Sequence, residues 1–313
     1  MEFRFINCRV KSLGESINFI TVFICTYNRG NLIDGTLAAL IENQTRNPNE
    51  IIVVNGGGEN DCQKTLEKWR NEFPQLKIIK TKNKNLAASR NIGLPHCKGD
   101  LILQTDDDAR PFPNWIEEMV KAHKTNLGCG VIGGRVIDAS RGNFLSKIAD
   151  IATFPNHNTI QKVRSVAGVN SSYKKEVIES VCEYDETLFR GEDVDYNWRA
   201  IKSGWDVLFC PEIKVKHLHR PTWKGLFQQH FMYGRAHYLI RKKWPEMYSH
   251  YPLKISSFKT LFKWYASWFW FPSLDAFLKS CKMVNQPNGF EFFTLWFINI
   301  SNRIGTSYQK NFY

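Results

Sequence analysis

Apolar positions across residues 19–105 alternate between two periods. Aliphatic and β-branched runs at 19–26 (FITVFICT), 51–54 (IIVV), 77–80 (KIIK) and 100–104 (DLILQ) read as strands. Between the first two, Leu32, Ile33, Leu37, Leu40 and Ile41 recur at helical spacing over 31–42, and residues 61–73 and 86–94 carry the same period. Strand–helix–strand units of this length predict an α/β fold, a Rossmann-like, mostly parallel sheet flanked by helices. Ligands of such sheets sit outside the carboxyl ends of the strands. That rule directs attention to Thr26-Tyr27-Asn28-Arg29, Asn55-Gly56-Gly57-Gly58, residues 81–85 and Thr105-Asp106-Asp107-Asp108.

Beyond Pro111 the pattern changes. A helix is expected over 115–123, Gly-rich strand structure over 131–137, and an irregular polar stretch to about 164. A strand and turn at 165–172 lead into a helix over 174–181. Gly191-Glu192-Asp193 opens another helix to Lys202, and two short strands follow at 205–209 and 213–217.

Composition adds a division that periodicity alone does not show. The 313 residues carry a net charge of +12, yet residues 214–263 contain eleven Lys and Arg against the single acid Glu246. Of the 43 aromatic residues, 25 lie in residues 221–313. A hydrophobic share of 43% excludes a disordered or fibrous chain. The eight cysteines stand singly, without metal-finger spacing, which fits a reducing compartment. No signal-peptide h-region is visible at the start, and no apolar run reaches the ~20 residues of a membrane span. A cytoplasmic protein is expected.

Three acidic or imidazole groups carry candidate chemistry. Asp106, Asp107 and Asp108 follow an apolar strand, and like charges so close invite a divalent cation such as Mg²⁺ or Mn²⁺, although acids at a helix start are an equally simple explanation. Glu192 and Asp193 either cap a helix or present a general base. His217 and His219 share one strand face, as metal ligands or as ordinary surface or core residues.

Taken in order, TYNR after the first strand, NGGG after the second, ASRNIG, TDDD, Gly168-Val169-Asn170, GEDVD and a late histidine resemble the family 2 glycosyltransferases, of GT-A fold, over residues 18–220. The resemblance implies a nucleoside-diphosphate sugar donor and a divalent cation, Mn²⁺ or Mg²⁺. It assigns Asp106 to the donor ribose, Asp108 to the metal that bridges to the diphosphate, Asp107 to the same nucleotide-sugar site, and His217 or His219 to completion of the metal shell. Thr26, Tyr27 and Arg29 match the first nucleotide loop, and Arg90 the arginine that holds the diphosphate. Asp193 matches the base of an inverting transfer, and Glu192 the neighbour that positions the acceptor. Asn55 stands where the family typically has an Asp facing the nucleotide base, which opens the choice of base because an amide both donates and accepts. A Q-x-x-R-W motif is absent, so single addition is expected rather than processive synthesis.

The expected division is a transferase domain over 1–220 and a helical extension over 221–313. The extension's interleaved aromatic and basic residues suggest an anionic membrane surface at the inner face of the cytoplasmic membrane, and a glycan or lipid-linked acceptor. The alternatives are a nucleotidyltransferase or a basic nucleic-acid-binding protein. A nucleic-acid partner is not expected, because acids at the strand ends repel phosphates.

Overall fold

All four expected strands form, as β1 (Ile20–Thr26), β2 (Glu50–Asn55), β3 (Leu76–Lys80) and β4 (Leu101–Asp106). The structure is a computed structural model and describes residues 17–57, 60–139, 143–154, 157–218, 222–247, 257–283 and 289–311. Helices α1 (Gly30–Ile41), α2 (Asn60–Glu72) and α3 (Leu86–Gly93) connect these strands. Because both sheet faces are covered, the strands read as unbroken apolar runs. Ile20, Val22 and Ile24 of β1 pack into one core with Ile51 and Val53, while Phe23 packs with Ile52 and Val54 on the opposite face. Full burial of one such side chain stabilises the fold by ~1.5–3 kcal/mol.

The remaining elements are β5 (Ala109–Pro111), α4 (Trp115–Thr125), β6 (Cys129–Asp138), α5 (Phe144–Thr153), β7 (Gln161–Lys162), β8 (Asn170–Lys174), α6 (Lys175–Val181), α7 (Glu192–Lys202) and β9 (Asp206–His217). The sheet order is β3-β2-β1-β4-β8-β6-β9-β5, with β7 also on β9. β1, β2, β3 and β4 run parallel, and the registers Thr26↔Asn55 and Cys25↔Asp106 bring three carboxyl ends level. At the opposite end the Glu50 carboxylate accepts hydrogen bonds from Thr21 Oγ1 (2.7 Å), the Lys98 amide (2.7 Å) and Lys77 Nζ (2.8 Å).

Two expectations are corrected. The stretch before residue 164 is not irregular, since it holds α5 and β7. The two short strands near the late histidines are one, β9, whose pairing with β6 shifts register between Cys210 and Lys214, the span that contains Pro211. Proline there lacks the N–H that a regular ladder requires, which is why the pattern looks broken.

Three helices follow, α8 (Trp223–Lys243), α9 (Phe258–Met283) and α10 (Gly289–Lys310). The end of α8 docks on α7 through Ile240, which packs with Leu188 and Met247 against Val194 and Trp198. The fully buried Asp195 fastens this contact by accepting from Trp244 Nε1 (2.7 Å), Lys243 Nζ (2.7 Å) and Arg199 Nε (2.9 Å). α8 and α10 cross at two glycines: a Cβ on Gly234 would strike the Asn302 carbonyl, and one on Gly305 the Phe231 carbonyl. Backbones this close admit no side chain between them. Thr306 Oγ1 adds a hydrogen bond to the Gly234 carbonyl (3.0 Å).

Candidate active site

The acidic triplet lies where β4 turns into β5. Asp106 ends β4, Asp107 and Asp108 make the turn, and β5 pairs with β9 in the register Ala109↔His217. That pairing delivers the histidine to the carboxylates. One ligand atom each from Asp106, Asp108 and His217 lies within 4.8 Å of the others. His217 Nε2 is 3.2 Å from Asp108 Oδ1, yet this buried oxygen makes no hydrogen bond of good geometry. Burial, reinforced by Asp108, pushes the Asp106 carboxyl up to about 7. Carboxylates crowded against one another, with an unsatisfied oxygen and a histidine beside them, suit a hard divalent cation. A ligating imidazole must be neutral.

Asp107 faces away from this group. Its Oδ2 accepts from Thr26 Oγ1 (2.7 Å) and its Oδ1 from Arg29 Nη1 (3.0 Å). Arg29 Nη1 also donates to Asp108 Oδ2 (3.0 Å), so the loop after β1 is tied to the β4–β5 turn.

The second acidic motif opens α7. Gly191 caps this helix with φ of 76°, a conformation costly for a side-chain-bearing residue, and a Cβ there would strike Ile240. Glu192 turns into the protein, where its Oε1 accepts from Arg90 Nη1 at 2.6 Å, both groups being buried. Burial alone would lower the Arg90 pKa, but Glu192 together with Tyr184, Asp106 and Asp193 outweighs it, and the guanidinium stays charged. Arg90 also lies 5.1 Å from the centre of the Tyr184 ring. Asp193 Oδ2 accepts from the Gly168 amide (3.0 Å). The loop bearing Gly168 hangs on β4, because Gln104 Nε2 donates to the Gly168 carbonyl (3.1 Å) and Thr105 Oγ1 to the Val169 carbonyl (2.9 Å). Strand β4 thus positions Asp106 directly and Asp193 through one intervening loop.

All these groups open on one cavity of about 440 Å³. Thr26, Tyr27, Arg29, Arg90, Asp106, Asp107, Asp108, Glu192, Asp193 and His217 line it. Asn55 is not among its lining residues. Its Oδ1 accepts from the Gly57 amide (3.1 Å) and its Nδ2 donates to Gln63 Oε1 (3.2 Å). His219 lies outside the described residues. Lining residues that escaped the sequence reading include Phe189 and Arg190 before the GEDVD motif, and Gln229 and Tyr233 from α8. The aromatic and cationic character immediately before GEDVD was a signal for the first pair, whereas nothing in the sequence brings α8 to this wall.

A mostly parallel sheet with one acidic motif at a strand end and a second at the start of α7, both open to one cavity, is the architecture of the GT-A class of glycosyltransferases. Residues 21–182 match the profile described as glycosyl transferase family 2, and the chain belongs to that family. It is 24% identical over 229 residues to the glycosyltransferase AglE of Haloferax volcanii, covering 72% of this chain and 74% of that protein. It is 26% identical over 185 residues to the glucosyl-dolichyl phosphate glucuronosyltransferase of the same organism, covering 56% of this chain and 58% of that protein. Among solved structures, the mannosyltransferase PcManGT from Pyrobaculum calidifontis, in complex with GDP-Man and Mn²⁺, superposes with a TM-score of 0.61 at 13% identity, covering 92% of this chain and 87% of that one. This last likeness is one of fold.

Proposed function

We propose that the chain is an inverting, metal-dependent glycosyltransferase that moves a sugar from a nucleoside-diphosphate sugar to a hydroxyl of a glycan, glycolipid or lipid-linked acceptor. The observation that carries this reading is that the Asp106–Asp108–His217 group and Asp193 line the same cavity. Asp106, Asp108 and His217 would hold Mn²⁺ or Mg²⁺, which supplies positive charge against the departing diphosphate. Asp107 holds Thr26 and Arg29 at the edge of the nucleotide site. Asp193, oriented by the Gly168 amide, accepts the proton of the acceptor hydroxyl. The freed oxygen pair forms the bond to the anomeric carbon as the bond to the diphosphate breaks, its pair leaving with the nucleoside diphosphate. A single displacement inverts the configuration. Glu192, paired with Arg90, fixes the entrance of α7 and so the aim of Asp193. Asn55, whose amide is engaged by Gly57 and Gln63, shapes the second loop.

In this reading residues 1–220 form the transferase domain and 221–313 a helical extension that also supplies Gln229 and Tyr233 to the cavity. A lipid-linked acceptor is supported by the dolichyl phosphate in the name of one relative. It is supported as well by the exposed apolar face of the extension, with Phe258 at 84% and Trp270 at 65% exposure, and Phe262, Leu274 and Phe277 about half exposed. Lys259 and Lys263 share α9 with these residues. An anionic membrane at the cytoplasmic face matches both the apolar and the basic character. Among the described residues no helix is long and apolar enough to cross a membrane; the association proposed is a peripheral one.

The test is turnover of a panel of UDP- and GDP-sugars with Mn²⁺, with product anomers assigned by NMR. Release of nucleoside diphosphate without sugar transfer to any hydroxyl, or a retained anomeric configuration, overturns the reading.

A further inference from the structure

Three guanidinium groups line the cavity: Arg29, Arg90 and Arg190. Two have carboxylate partners, Arg29 with Asp107 and Asp108, and Arg90 with Glu192. Arg190 forms no ion pair with any acid among the described residues. Its guanidinium instead lies 5.2 Å from the centre of the Tyr233 ring. Stacking of this kind holds the planar group by its face and leaves its N–H edge free for a planar or tetrahedral oxyanion. Gln229 Nε2, one turn back on α8, donates to Tyr233 Oη at 3.3 Å and steadies the ring. A half-buried, stacked cation without a carboxylate partner in a cavity wall is costly unless a ligand supplies the counter-charge.

Its location narrows the ligand. Arg190 precedes Asp193 by three residues, across the turn at Gly191, and so lies beside the expected base, whereas the donor's diphosphate is expected at the Asp106–Asp108–His217 group.

We propose that Arg190, stacked on Tyr233, binds a phosphate group carried by the acceptor close to its reacting hydroxyl. The acceptor assignment rests on the glycosyl-transfer reading, and the phosphate site itself does not.

Titration calorimetry of the full chain with methyl phosphate tests it, in EDTA so that no metal contributes. The wild type binds, Arg190→Gln weakens binding at least tenfold, and Arg190→Lys, which keeps the charge and serves as the folded control, stays much closer to the wild type. Equal binding by wild type and Arg190→Gln, or no binding by the wild type, overturns the proposal. A second titration adds Mn²⁺ and UDP or GDP, whichever binds. Retained, Arg190-dependent binding of methyl phosphate supports the acceptor assignment, and competitive displacement by the nucleotide overturns it by giving Arg190 to the donor. Dodecyl phosphate in place of methyl phosphate separates the sources: tighter binding indicates a lipid phosphate, equal binding a phosphorylated sugar, and both support the site. Absence of nucleotide-sugar turnover would remove the transferase reading while leaving Arg190-dependent phosphate binding in place.

Discussion

Replacement of Glu192 by Gln keeps the shape of the side chain and removes its charge, leaving the buried Arg90 with a neutral acceptor. Breaking a buried ion pair from one side costs ~3–5 kcal/mol, because the surviving charge is uncompensated. Here the amide oxygen still accepts from Arg90, and the Tyr184 ring at 5.1 Å contributes a weak cation–π contact, so the loss falls near the lower end, ~3 kcal/mol. With a urea slope of ~3 kcal/mol/M, suited to a chain larger than the usual small domains, the unfolding midpoint drops by about 1 M. Tryptophan fluorescence reads the transition. The double variant Arg90→Met/Glu192→Leu removes both charges and should regain most of the lost stability while remaining defective in nucleotide binding. A midpoint for Glu192→Gln indistinguishable from wild type would refute the claim that this pair holds the start of α7. A double variant no more stable than the single one would refute the electrostatic account of it.

Asp193→Asn should lower transfer by at least ~100-fold, measured by product formation, with metal-dependent nucleotide binding preserved. Asp108→Ala should weaken nucleotide binding in the presence of Mn²⁺ and leave little difference between Mn²⁺ and EDTA in a thermal-shift assay. Asp185, where partial burial is outweighed by Lys243 (2.6 Å) and Thr187, has its carboxyl lowered to about 2. Its folded pKa being depressed, its stabilisation is full above the unfolded pKa of ~3.9 and is lost as pH falls toward 2; after solvent screening it amounts to ~1 kcal/mol, and Asp185→Asn should flatten that part of the acid-unfolding curve. Lys259→Gln/Lys263→Gln should lose ~2 kcal/mol of binding to anionic vesicles, a ~30-fold drop in co-sedimentation partitioning; unchanged partitioning would separate the membrane reading from the charge of α9.

Much of the nucleotide-side architecture was legible because β1, β2 and β4 are apolar runs that end abruptly in polar loops, and a parallel sheet puts those ends together. The acids of the first motif were visible for the same reason, and those of the second because they follow a glycine at the start of a helical period. Which way each acid faces was not: Asp107 and Asp108 are neighbours of one type, and only the β5–β9 pairing turns Asp108 to His217 while Thr26 and Arg29 claim Asp107. Asp195 reads in sequence like part of GEDVD chemistry, yet it is a fully buried fastener for Trp244 and Lys243. α5 could have been found, since Phe144, Leu145, Ile148 and Ala149 follow a helical period behind the capping Asn143, whose side chain accepts from the Ser146 amide. Gln229 and Tyr233 could not, because their place in the cavity depends on how α8 docks, a contact encoded in packing against α7 rather than in any local pattern.

The glycine crossing of α8 and α10 has a geometric corollary. Tyr233, in the cavity wall, immediately precedes Gly234, whose backbone lies against α10, and α10 carries exposed aromatics at Phe290 and Phe293. With no side chain between the two backbones to act as a cushion, the crossing behaves as a ruler. A surface that receives the aromatic face would hold the reaction chamber at a set height above itself, and the enzyme would select acceptors by how far their hydroxyl projects from that surface as well as by their chemistry.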